Sequence, residues 1–192
     1  MSLVIRKLDE TMIDDYIHFF DHNAFNDHSE YEGCYCAFYH FGKEVEEAFQ
    51  HVEDWTAETK KRAIEMIKDK TLQGYLAYDG NEIVGWVSTN RKEKYLRIME
   101  NPIYHTEDDQ QIQSITCFIV DPKRRKEGIA TKLLEHVIKS SKDKDIKYLE
   151  AYPRINTFSC LFNFHGYLST FEKLGFTIYK TLEEDAIVRL SI

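Results

Sequence analysis

The chain has 192 residues, 43% of them hydrophobic, including 12 Tyr, 12 Phe and 2 Trp; this supplies one sizeable core, and with only 3 Pro the composition argues against long linkers. A net charge of -8 disfavours nucleic acid and anionic membranes and mildly favours a cationic, amine-bearing partner. No apolar run is long enough for a membrane span, no charged leader opens the chain, and the 4 Cys are too scattered for a disulfide scaffold, so a cytoplasmic protein with reduced thiols is expected.

In chain order, Val4 to Leu8 reads as a strand, and Thr11, with Asp14 three residues on, caps a helix whose apolar face carries Ile13, Tyr16, Ile17 and Phe20. Residues 23–42 are aromatic and irregular around Cys34-Tyr35-Cys36, which suggests a substrate rim; helical patterning returns over 56–70. Gly74 to Tyr78 and Glu82 to Ser88 form a hairpin across Asp79-Gly80-Asn81. After a polar stretch, Ile115 to Val120 has the continuous apolar character of a buried central strand, ended by Asp121-Pro122. Ile129, Ala130, Leu133, Leu134, Val137 and Ile138 make one helix face.

Lys147 to Tyr152 is a further strand stopped by Pro153, a helix over 167–174 ends at Gly175, and strands 177–182 and 186–192 flank the acidic turn Glu183-Glu184-Asp185. The order predicts a single α/β domain over 1–192, with a mixed, mostly antiparallel central sheet of about seven strands flanked by about four helices.

The turn between the central strand and its helix carries the chemistry. First-turn N–H groups of a helix have no partner within it, and the helix dipole adds partial positive charge, so a glycine-rich turn there receives phosphate. Gly128 removes a side chain where a pyrophosphate would approach the backbone, and Ala130 keeps the second close position small. Lys123, Arg124, Arg125 and Lys126 place consecutive cations beside it in a net acidic chain.

The run from Phe118 to Ala130 resembles the acetyl-CoA-binding motif of the GCN5-related N-acetyltransferases (GNAT), and Phe171-Glu172-Lys173-Leu174-Gly175-Phe176 is similar to that family's helix-end signature. Val84 to Ser88, the Cys34 to Cys36 loop and Phe164-His165-Gly166 look similar to a bacterial subgroup of unassigned substrate. The resemblance implies a GNAT fold with acetyl-CoA as co-substrate. Phe118, Ile119 and Val120 would offer main-chain groups to the pantetheine arm, and Arg125, Lys126, Glu127, Gly128, Ile129, Ala130 and Thr131 would hold the pyrophosphate. It also implies direct attack of an amine on the thioester.

In that family a Tyr at the position of Phe171 often protonates the departing thiolate, a role Phe cannot fill. Tyr167, one helical turn earlier, is the replacement expected here. Aminolysis needs a neutral amine and hence a base: Glu150 is the first candidate and His165 the second. Tyr35 and Trp86 are candidates for an aromatic substrate wall. Cys34, Cys36 and His40 lack a second Cys/His pair at metal-site spacing, so no metal is expected.

The expected partner is a small-molecule or peptide amine, with monomer and homodimer both open. The rival reading is a CoA-binding module without transferase activity.

Overall fold

The computed structural model describes residues 3–106, 111–142, 145–155 and 160–192. Seven strands form one sheet in the order β1-β2-β3-β4-β5-β7-β6: β1 Leu3–Lys7, β2 Gly74–Asp79, β3 Glu82–Arg91, β4 Ile112–Val120, β5 Tyr148–Ala151, β6 Thr177–Thr181 and β7 Ala186–Ser191. Only β4 and β5 run parallel; the other neighbours are antiparallel. The single parallel contact follows from the one helical crossover, since hairpins supply antiparallel neighbours.

Among the described residues there are six α-helices where four were expected: α1 Ile13–His22, α2 Lys43–Phe49, α3 Trp55–Lys68, α4 Leu96–Met99, α5 Ile129–Ser141 and α6 Leu168–Lys173. The additional ones, α2 and α4, are one or two turns long, too short to show a clear apolar period. Tertiary contacts support them, because Arg97 of α4 lies 3.8 Å from the Phe38 ring centroid and bonds Glu46 of α2. The first cap is also corrected. Asp9, in extended backbone, accepts from Thr11 N at 2.8 Å, so Thr11 lies inside the first turn rather than at its head. α3 is capped by Asp54, which accepts from Ala57 N at 2.9 Å.

The sheet divides the core. One face packs Leu76, Trp86, Cys117 and Ile119 against α1 and α3, and the other packs Val87, Ile115, Phe118 and Leu149 against α5 and α6. Four buried side chains of α5, Ile129, Leu133, Leu134 and Val137, point into this second layer, each worth about 2 kcal/mol of transfer free energy. The helix comes close because β3 carries Gly85, where a Cβ would lie 2.7 Å from Ile129 Cγ2. No described helix is long and apolar enough to cross a membrane.

Candidate functional site

The site arises where the parallel strands part. β4 and β5 are in register from Ile112↔Tyr148 to Ile115↔Ala151 and no further. On the other side of β4, Ser88 pairs with Cys117 and Thr89 with Ile115, which leaves Thr116 as an extra, bulged residue at the parting point. Beyond it no strand among the described residues pairs with the β5-facing edge of β4. A cleft of about 570 Å³ opens there. Phe118, Ile119 and Val120 line one wall, Phe25, His28 and Tyr31 another, and Phe164, Gly166, Tyr167 and Phe171 a third.

The floor is the N-terminus of α5. Gly128 caps it at φ +79°, in the left-handed region glycine favours, and a Cβ there would meet nothing within 4 Å. The glycine therefore answers to backbone conformation and to the open space above it, not to protein packing. No side chain caps this 13-residue helix, so its first-turn N–H groups face the cleft with the positive end of the dipole. The flanking cations are ordered by carboxylates: Arg125 forks onto Asp27 across the cleft mouth, and Arg124 bonds Asp79 at 2.7 Å and Glu127 at 3.0 Å.

An anion-receiving helix end beside an open strand edge is a place for an extended, phosphate-bearing ligand. The sequence matches the acetyltransferase (GNAT) family over residues 14–176. The chain belongs to that family.

Solved structures agree on the fold. An aminoglycoside acetyltransferase in complex with coenzyme A is 13% identical with a TM-score of 0.63, covering 99% of this chain and 95% of that one. The PaiA N-acetyltransferase of Thermoplasma acidophilum, also in complex with coenzyme A, is 16% identical at 0.57, covering all of both chains. An N-acetyltransferase of Staphylococcus aureus Mu50 is 13% identical at 0.60, covering 100% of this chain and 99% of that one. No curated protein matches in sequence.

Within this GNAT frame, the expected coenzyme residues Phe118, Ile119, Val120, Arg125, Lys126, Gly128, Ile129, Ala130 and Thr131 all line the cleft. Glu127 does not: its carboxylate is spent on Arg124, whose own side chain lines the wall instead. Tyr167 lines the cleft and is 54% exposed, whereas Phe171 is fully buried between Phe118 and Phe176.

Three expected site residues lie elsewhere. Glu150 is fully buried below the parting point, with Oε1 held by Lys92 Nζ and the Tyr152 hydroxyl at 2.8 Å each and Oε2 by Arg189 Nε at 2.8 Å. With both oxygens engaged and no exposed edge, it has no contact with the cleft in which an amine would sit. Trp86 is fully buried, edge-on to Tyr16 at 5.0 Å, and Tyr35, buried against Phe20, donates its hydroxyl to Asp21 Oδ1 at 2.5 Å. Both are core residues, because the Cys34 to Cys36 segment folds inward over α1 instead of forming a rim.

His165 sits beside the cleft. Its Nδ1 is 3.0 Å from the Thr116 carbonyl oxygen and its Nε2 is 2.9 Å from the Tyr39 hydroxyl. Burial pushes this imidazole down to about 4, so it is neutral at pH 7. Tyr39 was not singled out by its sequence context, which offers only an aromatic residue in an aromatic loop. Among the described residues, no group of three or more His, Cys, Asp and Glu is arranged to hold a metal ion.

Proposed function

We propose that the protein transfers an acetyl group from acetyl-CoA to a primary amine. The observation that carries this reading is the cleft that joins the edge of β4 left unpaired by β5 to the N-terminus of α5 at Gly128, which no side chain caps. The residues fit the coenzyme chemically. Peptide groups of 118–120 that face away from β3 suit an amide-bearing arm, and the first turn of α5, with Lys126 beside it, suits a pyrophosphate.

When bound, acetyl-CoA would supply a thioester carbonyl to which a neutral amine adds, the C–S bond breaking to release CoA thiolate and the nitrogen's surplus proton passing to solvent in the cleft. The chain's own share is positioning: the cleft walls Phe118 and Phe164 exclude water, and β4 fixes the approach. Tyr167, which lines the cleft, is the residue to which we assign protonation of the departing thiolate. The amine enters from the side of residues 31–40 as a small molecule or a peptide terminus. That the family's usual acid position holds a buried Phe171 favours the second reading, a CoA-binding module without turnover.

Thermal unfolding with and without acetyl-CoA, followed by CoA release on a panel of primary amines, separates these outcomes. Stabilisation with release supports the transferase. Stabilisation with no release on any amine supports the module, and no stabilisation removes both.

A further inference from the structure

Hydrogen-bond polarity at the edge of the cleft fixes what kind of group can be received there. The Thr116 carbonyl can only accept, so His165 Nδ1, 3.0 Å away, carries the ring's proton. The imidazole is neutral, so Nε2 has a lone pair and no hydrogen. At 2.9 Å from that nitrogen, the Tyr39 hydroxyl must donate. Its proton is committed inward, and only oxygen lone pairs remain for a visitor.

The placement suits an acceptor substrate. Thr116 is the bulged residue at which β4 parts from β5, so Tyr39 stands one imidazole away from the open strand edge. Tyr39 is a half-buried residue beside Phe38, which is 39% exposed. The acidic turn 183–185 is pinned over the same end of the sheet by the bridge between Asp185 and Arg154. Glu184 and Asp185 lie 3.5 and 3.6 Å from that guanidinium, two carboxylates to one cation. Arg97, stacked on Phe38 and bonded to Glu46, is a second cation on this side, so hydrogen-bond polarity rather than net charge distinguishes the position.

Resting on the acetyltransferase reading, we infer that Tyr39 is the amine-binding residue: its hydroxyl, oriented by His165 and the Thr116 carbonyl, accepts a hydrogen bond from the N–H of the acceptor. His165 is then a positioning residue that acts through Tyr39, and the chain Thr116–His165–Tyr39 selects groups that donate. Its neutral imidazole serves as an acceptor for the phenol and has no free lone pair with which to meet the amine directly.

The test uses the full chain, acetyl-CoA and a panel of methylamine, phenethylamine, glycinamide and a peptide with a free N-terminus, read by CoA release. Tyr39→Phe should lower kcat/KM for the best amine about 10- to 100-fold, the effect of leaving one polar partner unpaired. The loss should appear in KM for the amine, with KM for acetyl-CoA unchanged and the unfolding midpoint lowered only by the loss of one buried hydrogen bond. His165→Ala should reproduce it, His165→Gln, which keeps an acceptor at the same distance along the side chain, should recover part, and the Tyr39→Phe/His165→Ala double variant should lose no more than either single.

Additive losses, equal losses in KM for acetyl-CoA, or a Tyr39→Phe enzyme within about two-fold of wild type on its best amine would overturn the inference while leaving the transferase intact. If acetyl-CoA stabilises the wild type but no amine in the panel is acetylated, both the inference and the transferase reading fall. If acetyl-CoA gives no stabilisation, the coenzyme assignment itself has failed.

Discussion

β4 and β5 are one pair of strands with two different halves. Where they are in register, from 112 to 115 on β4 and 148 to 151 on β5, the space beside them is sealed. It holds Glu150 between Lys92 and Arg189, and the Tyr152 hydroxyl bridges Glu150 and Ser114. Lys92 Nζ spends its three donors on Glu150, the Tyr104 carbonyl and Thr106 Oγ1. Where the strands part, from Thr116 onward, the buried carboxylate network is gone, and the cleft is lined by β4, by Tyr31 and Tyr167 and, at its floor, by the cations Arg124, Arg125 and Lys126. Carboxylate charge at this centre is thus a mark of closure, and the charge that lines the working end is cationic. A carboxylate one strand away from a binding motif invites a catalytic role, yet register rather than proximity decides which end of the pair it serves.

The contrast breaks if Glu150 acts in chemistry. We expect Glu150→Ala to cost about 3–5 kcal/mol of stability in urea unfolding, because it strands two buried cations, while the folded fraction binds acetyl-CoA as before. A Glu150→Gln protein of unchanged stability and strongly reduced kcat would contradict the division. At the other end the signs reverse. Gly128→Glu should weaken acetyl-CoA binding about 100-fold by like-charge repulsion, measured by calorimetric titration. It should cost only about 1–2 kcal/mol of stability, the strain of a left-handed non-glycine residue with open space around its side chain.

Legibility in the sequence follows the same line. The strand Ile115 to Val120, the turn at Gly128 and the face of α5 were readable because each is a local pattern, apolar run, glycine and helical period, that the fold leaves intact. The seven strands and their mostly antiparallel pairing followed from hairpin spacing and one crossover. The side chains on β5 and in 31–40 were not readable, since their roles depend on partners far along the chain. Nothing near Glu150 announces Lys92, 58 residues away, or Arg189, 39 residues on. Nothing near Tyr39 announces His165, 126 residues distant. Tyr35 and Trp86 looked like a substrate wall because an aromatic residue has the same appearance in a core as in a rim.

Acid sharpens the comparison in a graded way. His165 at the parted end and His40, stacked on Tyr95 with Nδ1 2.8 Å from the Lys94 carbonyl, are both held down to about 4 by burial. Their folded values lie below the unfolded value near 6.5, so the unfolded chain binds more protons between those limits. Stability should therefore be independent of these groups above about pH 7 and fall as pH drops from 6.5 towards 4, by about 1 kcal/mol for each at pH 5.5. Urea unfolding midpoints from pH 7.5 to 5 check this. His136, also lowered by burial, adds to the same slope, so in His165→Gln the slope should shrink but persist, and a slope unchanged in that variant would mean that His165 is not held neutral at the edge of the cleft.

The smallest effect belongs to Tyr167, and its size tests how much chemistry the parted half performs. The ring lines the cleft and is 54% exposed, so removing its hydroxyl leaves packing intact and stability within about 0.5 kcal/mol. If it protonates the departing thiolate, Tyr167→Phe should lower kcat at pH 7 by about five-fold only, because a thiol of pKa near 8.5 leaves with little assistance. The KM for acetyl-CoA should stay where it is. Measured beside Tyr39→Phe, the two phenols should then separate cleanly, one acting on kcat and the other on the amine's KM. A Tyr167→Phe enzyme indistinguishable from wild type would assign the parted half to binding and positioning alone, with solvent supplying the proton.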